Sequence, residues 1–383
     1  MMRRCNKILT SLISVFIIIA SAVSCGKEYN FGFKDLCFYH PHTAPVQLDV
    51  DWTNFERIIQ PDVKEYLSGM TVYVWPLNTD EIPYTFPTHN INSVTLDLKS
   101  GNFNALVFNL TGDEYGSLEF HNLEQYENAE ARVLPSRLDP FSTKSWISTK
   151  NPRAKVCDDV EWLAVDRKED FVVTEEMVEI AEEEYLATFN KTSQNQRSIP
   201  TKTQNFLGTL TPKTLVKQID LLINLTNYKS LAIPEGALSG LAEGCYLASG
   251  DPTSEEVIHI VTFTELKSKV DQNNNKDEVE ATLCAKIRTF GVPEGHTGLP
   301  NENVLSLQFT LRNKELKTLY FDVGDQIADL NSYDGTNLSP DGRIVWPTIH
   351  LDVELPFIEV EDGMFDVIVP GWGEEYEQML PLN

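Results

Sequence analysis

The chain has 383 residues, 42% of them hydrophobic and 23% charged, the balance of an ordinary globular protein. A formal charge of −26 argues against nucleic acid as a partner and against electrostatic adhesion to an anionic membrane surface. The length exceeds one typical core and suits two domains.

Arg3, Arg4 and Lys7 form a short positive region, and Ile8 to Ala22 an apolar run. That order is a signal peptide, too short for a membrane-spanning helix. The run ends in Ala22-Val23-Ser24-Cys25 followed by Gly26. Small residues before a Cys resemble the lipobox of bacterial lipoproteins, in which the thiol takes a diacylglycerol and the Cys becomes the new N-terminus. Residues 1–24 are therefore expected to be removed, taking the formal charge to −29 through loss of three cations. Residues 25–34 read as a lipidated tether anchored at Cys25.

Strands follow, broken by Gly, Pro, Asn and Asp turns. Val46 to Trp52 alternates apolar and polar residues, Met70 to Trp75 does so up to Pro76, and Val94 to Leu98 alternates again. A turn at Lys99 to Asn102 leads into Phe103 to Leu110, a pattern expected to form a hairpin, and Arg132 to Leu134 adds an edge strand. A Pro- and Ser-rich stretch, Pro135 to Pro152, closes a first domain of residues 35–150. The second domain, 151–373, opens near Lys155, and a tail of 374–383 ends the chain.

One helix is expected there. Thr174 caps it, Glu175 and Glu176 suit its first turn, and Met177, Ile180, Ala181 and Tyr185 share one face. A polar loop, Asn190 to Gln204, follows. Strands return at Leu215 to Leu225, Tyr246 to Ala248, Val257 to Thr264, Val279 to Arg288, Val304 to Leu311, Lys317 to Asp322, Ile349 to Leu355 and Phe365 to Val369. The fold class is all-β: two antiparallel β-sandwich domains with one short helix in the second.

Cys5 leaves with the signal peptide and Cys25 is lipidated. Cys37, Cys157, Cys245 and Cys284 remain as a disulfide pool in an oxidising compartment, with three pairings open. Buried free thiols are an equal alternative. No CxxC spacing supports zinc.

The Val94-to-Phe103 pattern of strand, Gly turn and aromatic recurs from Ile358 to Phe365. With it come Cys37, His40-Pro41-His42, Asp51-Trp52 at a strand end, the Met70 to Pro76 strand, and a small-residue connection within Leu225 to Gly250 that holds Ala237 to Ala242. In this order, over roughly residues 35–373, they resemble the fimbrillin superfamily of Bacteroides-type bacteria, within it an uncharacterised lipoprotein family. The resemblance implies transthyretin-like or immunoglobulin-like sandwiches and a lipid-anchored, surface-exposed place at the outer membrane. It also implies a role as a fimbrial anchor, accessory or tip, docking to fimbrial subunits by strand exchange. In that superfamily an arginine-specific protease removes the first strand of subunit precursors. Cutting here at Arg132, Arg137 or Arg153 would detach most of a domain, which favours an uncleaved component.

No catalytic pattern competes, so no enzyme and no cofactor are expected. Ser239 and Ser249 lack the G-x-S-x-G context. His40 and His42 are two apart, but Pro41 breaks regular pairing between them and His121 is remote in sequence. Asp271 to Asp277 lacks the Gly and Glu of a calcium loop, and the acidic Asp325 to Asp341 stretch reads as a solvated loop. No metal is expected from these spacings. The alternative role is a stand-alone surface lipoprotein binding glycan or host protein, with Trp52, Trp75, Trp146, Trp162, Trp346 and Trp372 as stacking candidates if exposed.

Overall fold

The computed structural model describes residues 42–79, 81–111, 114–136, 145–192, 205–226, 234–270, 279–311 and 314–355. Cys25, Cys37, His40, Arg137, the Asp271 to Asp277 segment, the Ile358 to Phe365 repeat and Trp372 lie outside them. The first strands are β1 (Ala44–Val50), β2 (Met70–Pro76), β3 (Tyr84–Thr88), β4 (Ser93–Leu98), β5 (Gly101–Asn109), β6 (Leu118–His121) and β7 (Glu130–Val133). Next come β8 (Lys155–Cys157), β9 (Ala164–Val173), β10 (Asn205–Leu210), β11 (Lys213–Thr214), β12 (Lys217–Thr226) and β13 (Glu235–Ala242). The last are β14 (Gly244–Tyr246), β15 (Glu256–Val261), β16 (Phe263–Val270), β17 (Val279–Thr289), β18 (Val304–Thr310), β19 (Leu316–Asp322) and β20 (Thr348–Glu354). The fold is all-β, with most strand pairs antiparallel.

The described residues group into two compact units. The smaller holds 42–47, 95–101, 172–192 and 205–206. Its helix, Glu175–Thr192, is 18 residues long, which makes it longer than the short helix expected and extends it into the predicted polar loop. Thr174 does cap it: its Oγ1 accepts the Met177 backbone N–H at 3.2 Å. The expected apolar face is not buried, since Ile180 and Tyr185 are both exposed. His42 Nδ1 lies 2.6 Å from Glu182 Oε1 on this helix.

The larger unit holds the remaining described residues. One sheet has the order β11-β9-β5-β2-β3. Its central strands are rich in β-branched and aromatic residues, and Val72, Val74, Ala105, Val107 and Phe108 are buried. A second sheet, β16-β17-β12-β20, shows the period of two: Ile219, Leu221, Ile223 and Leu225 are buried, and their register partners on β17 are Ile287, Ala285, Leu283 and Ala281, also buried. The third, β19-β18-β13-β15-β8, carries β8 as a parallel edge strand. A smaller sheet here has the order β14-β7-β6, and β10-β1-β4 form a further sheet whose residues are not confined to this unit.

Two sequence readings change. β4 pairs in one sheet and β5 in another, so the Val94-to-Phe103 pattern is a crossing between sheets and not a hairpin. The reason is that Phe103 stacks on Phe171 of β9 at 5.5 Å, which draws β5 into the sheet of β9 and β2. The small-residue segment Ala237 to Ala242 is no connection but the interior strand β13. Its small side chains admit close neighbours: a Cβ on Gly240, which has φ +78° at a bulge, would stand 2.1 Å from the Glu302 carbonyl oxygen.

A buried carboxamide fixes the junction of β5 and β9. Asn109 Nδ2 donates to the Tyr66 and Trp162 carbonyls, both at 3.0 Å, and Oδ1 accepts the Ala164 N–H at 2.8 Å. The Asn109 carbonyl in turn accepts the Tyr115 hydroxyl at 2.6 Å. Asn109→Ala strands two carbonyls and one N–H, at about 1–3 kcal/mol for each buried group left unpaired. Equilibrium unfolding in denaturant should show a loss of about 3–5 kcal/mol. A loss below about 1 kcal/mol would show that this junction does not hold the sheet.

His259 on β15 is fully buried, directly across from Cys157 of β8. Burial pulls its pKa down to about 4, with neither ring nitrogen finding a hydrogen-bond partner among the described residues. The folded value lies below the unfolded one, so the stability this neutral imidazole confers is complete above pH ~6.5 and is lost as pH falls toward about 4. The difference corresponds to about 3 kcal/mol. In acid titrations of stability, His259→Leu should flatten the decline between pH 6.5 and 4. An unchanged slope would show that other groups set it.

Candidate functional site

A polar cleft of about 590 Å³ lies at the end of the β13-β15-β8 part of its sheet, within the larger unit. It collects side chains from three places: Lys150, Arg153 and Lys155 around the start of β8, Glu243 and Glu256 near β15, and His296 and Glu302 from the loop before β18.

That loop is anchored at both ends. Phe290 is completely buried, and the Asn331 carboxamide bridges Val292, accepting its N–H at 2.9 Å and donating to its carbonyl at 2.8 Å. At the far end Asn303 Nδ2 donates to the Gly240 carbonyl at 2.7 Å, using the bulge in β13. Between them, tight turns join Pro293 to His296 and Leu299 to Glu302, and the Asn301 N–H is held by Asp322 at 2.7 Å. His296 and Glu302 thus sit on a braced loop.

His296 Nδ1 stands 2.7 Å from Glu256 Oε1 and 3.9 Å from Glu302 Oε2. The Glu256 side chain is only 9% exposed, whereas the imidazole is 35% exposed. His296 Nδ1 is itself buried and has no hydrogen-bond partner in line, so its closeness to Glu256 is electrostatic contact. Lys150 Nζ binds Glu302 Oε1 at 2.6 Å and the Pro300 carbonyl at 2.9 Å, and Lys155 pairs with Glu243. The three ligating atoms of Glu256, His296 and Glu302 lie within 4.8 Å of one another, close enough to share one cation. No spacing motif joins these residues, which are spread over two segments of chain, so sequence reading missed them.

The residues singled out from sequence do not gather here, apart from Arg153. It is exposed at the cleft, while Arg132 is half-buried in β7 and paired with Glu130 at 2.9 Å. Ser239 is core, donating to the Val304 carbonyl at 3.3 Å, and Ser249 closes a turn by accepting the Asp251 N–H. His121 faces Glu119 at 3.0 Å. In the Asp325 to Asp341 stretch, Asp334 holds Thr336 and Lys213, and Asp341 pairs with Arg343 at 2.8 Å. Trp52, Trp75, Trp146, Trp162 and Trp346 are all buried, so none offers a stacking platform.

Cys157 and Cys245 are buried free thiols, and Cys284 is half-buried in β17. Burial pushes Cys245 up to about 12 and Cys157 well above the usual thiol value. Both should therefore resist iodoacetamide in the folded protein at pH 8, reacting about a hundredfold slower than a free thiol, and label on unfolding. Rapid labelling of either in the native state would contradict this burial.

The model of the domain of unknown function DUF5119 matches residues 32–262. No curated protein matches the chain. Among solved structures, a candidate adhesin from Bacteroides ovatus is 15% identical, with a TM-score of 0.46; the match covers 87% of this chain and all of that one. The fimbrial anchor protein Mfa2 from Porphyromonas gingivalis is 10% identical at a TM-score of 0.40, over 82% of this chain and 90% of its own. The tip fimbrial protein Mfa3 of the same organism is 11% identical at a TM-score of 0.32, over 83% and 96%. Proteins of the kind expected from the sequence resemblance thus occur among the similar structures, but likeness at these scores carries no function across.

Proposed function

We propose, for a chain that belongs to the DUF5119 family of domains of unknown function, the role of a non-enzymatic surface lipoprotein that serves as a fimbrial anchor, accessory or tip. The observation that carries this reading is the order of sequence features: the lipobox at Cys25, then Cys37, His40-Pro41-His42, Asp51-Trp52 and the Met70 to Pro76 strand. Two of these features do structural work in an all-β fold. Trp52 Nε1 donates to the Ile91 carbonyl at 2.7 Å just beyond β1, and β2 lies between β5 and β3. In this reading the signal peptide of residues 1–24 is removed, Cys25 holds the lipid at the outer membrane, and two sandwich domains follow the tether. No helix among the described residues is long and apolar enough to cross a membrane.

Docking to a fimbrial subunit needs an available sheet edge. β19 offers one: among the described residues it pairs only with β18, and its Leu316 and Tyr320 are 59% and 54% exposed. The second reading, a stand-alone binding lipoprotein, is favoured by the polar cleft, since that is where a charged small ligand would fit.

Cys25→Ala should move the protein into the soluble fraction and abolish labelling by a palmitate analogue. Retention of that variant in the membrane would defeat the lipoprotein reading. Tagged protein cross-linked in cells should retrieve fimbrial subunits, and Leu316→Glu combined with Tyr320→Glu should cut the yield about tenfold. Retrieval of no fimbrial protein by the unaltered chain would transfer the proposal to the stand-alone binder.

A further inference from the structure

We infer that Glu256, His296 and Glu302 form a binding site for a divalent transition-metal ion such as Zn²⁺. The inference rests on the geometry of the cleft and is independent of the fimbrial reading.

The donor set is chemically coherent. Two carboxylates and an imidazole supply two oxygen donors and one nitrogen donor, an anionic set that suits a divalent cation even with Lys150 paired to Glu302. A nitrogen donor favours zinc or a neighbouring transition ion over Ca²⁺ and Mg²⁺, which take all-oxygen sets. Zinc bonds to nitrogen and carboxylate oxygen are about 2.0–2.2 Å, so tetrahedral ligands stand about 3.4 Å apart. The observed separations of 2.7 Å and 3.9 Å bracket that edge, and sub-ångström side-chain shifts would even them.

A second observation concerns the groups themselves. The Glu256 side chain is nine-tenths buried, and its Oε1 stands 2.7 Å from His296 Nδ1. His296 Nδ1 is buried, aimed into the cluster, and lacks an in-line acceptor. A buried ring nitrogen short of a hydrogen bond, set beside a nearly buried carboxylate, is costly unless something binds both. Lys150 neutralises Glu302 through Oε1, leaving Oε2 turned toward the imidazole.

The positions are also braced. Glu256 begins β15, and the loop bearing His296 and Glu302 is pinned through Asn331 and Asn303. Three protein ligands leave a coordination place for water or for an anionic group entering the cleft beside Lys150, Arg153 and Lys155. The competing account is an imidazolium bridging two carboxylates without metal.

Titration calorimetry of the full-length protein in detergent with ZnCl₂ at pH 7.5 separates the two. One equivalent should bind with micromolar or tighter affinity, and a hundredfold excess of Mg²⁺ or Ca²⁺ should not compete. His296→Ala and, separately, Glu302→Gln should each weaken binding at least tenfold. Circular dichroism checks that both variants are folded, and where His296→Ala is not, Glu302→Gln decides. Zinc-edge X-ray absorption should show nitrogen and oxygen neighbours with one imidazole and no sulfur. No binding, equal affinity in a folded variant, or sulfur scattering from a cysteine would each overturn the site.

Discussion

The carboxamide of Asn109 is the interaction on which the organisation of the larger unit turns. Both of its N–H donors and its oxygen are used, two carbonyls and one N–H from separate stretches of chain meeting at one side chain. β9 is thereby seated beside β5, although some 55 residues separate Asn109 from Ala164. Arg288 strengthens the same neighbourhood: it donates to the Asp159 carboxylate at 2.7 Å and to the Tyr66 hydroxyl at 3.1 Å, and stands 5.7 Å from the Trp162 ring. Polar groups buried with full satisfaction specify one arrangement of strands more sharply than apolar contacts do, because alternatives leave them unpaired.

The same logic shapes the cleft. Asn331 and Asn303 hold the two ends of the His296 loop by backbone hydrogen bonds, and Gly240 makes room for that loop against β13. A braced loop on a rigid sheet can hold charged groups in partial burial that a free loop would release to water. The clustered charged side chains are therefore at the rim of a sheet, while the described tryptophans that suggested sugar stacking serve the core.

Much of the fold is legible in the sequence where burial is one-sided. β12 and β17 declare themselves by alternation, because one face of each meets the core, whereas β2 and β18 are buried on both faces and stand out as apolar runs. β9 does not, since Asp166 to Asp170 in its middle is charged on successive residues and reads as a loop. β13 is concealed for the opposite reason: its Gly, Ala and Ser residues answer to close packing rather than to hydrophobicity. The strand-turn-aromatic pattern gave the right strands but the wrong partner, because β5 is held by contacts across distant sequence: Asn109 with Ala164, Phe103 with Phe171, and the ladder with β2. The cleft had no legible signal at all. Glu256, His296 and Glu302 share no motif spacing, and only the return of β15 and the loop before β18 to one edge unites them.

In the proposed role, an all-β chain with an open edge at β19 and a braced polar cleft is held by a lipid tether and acts at the surface by contact with fimbriae. Immunogold electron microscopy of intact, unpermeabilised cells tests this most directly. The account predicts gold at the cell surface, concentrated at the bases or ends of fimbriae. Label that appears only after permeabilisation, or is scattered without relation to fimbriae, would contradict it.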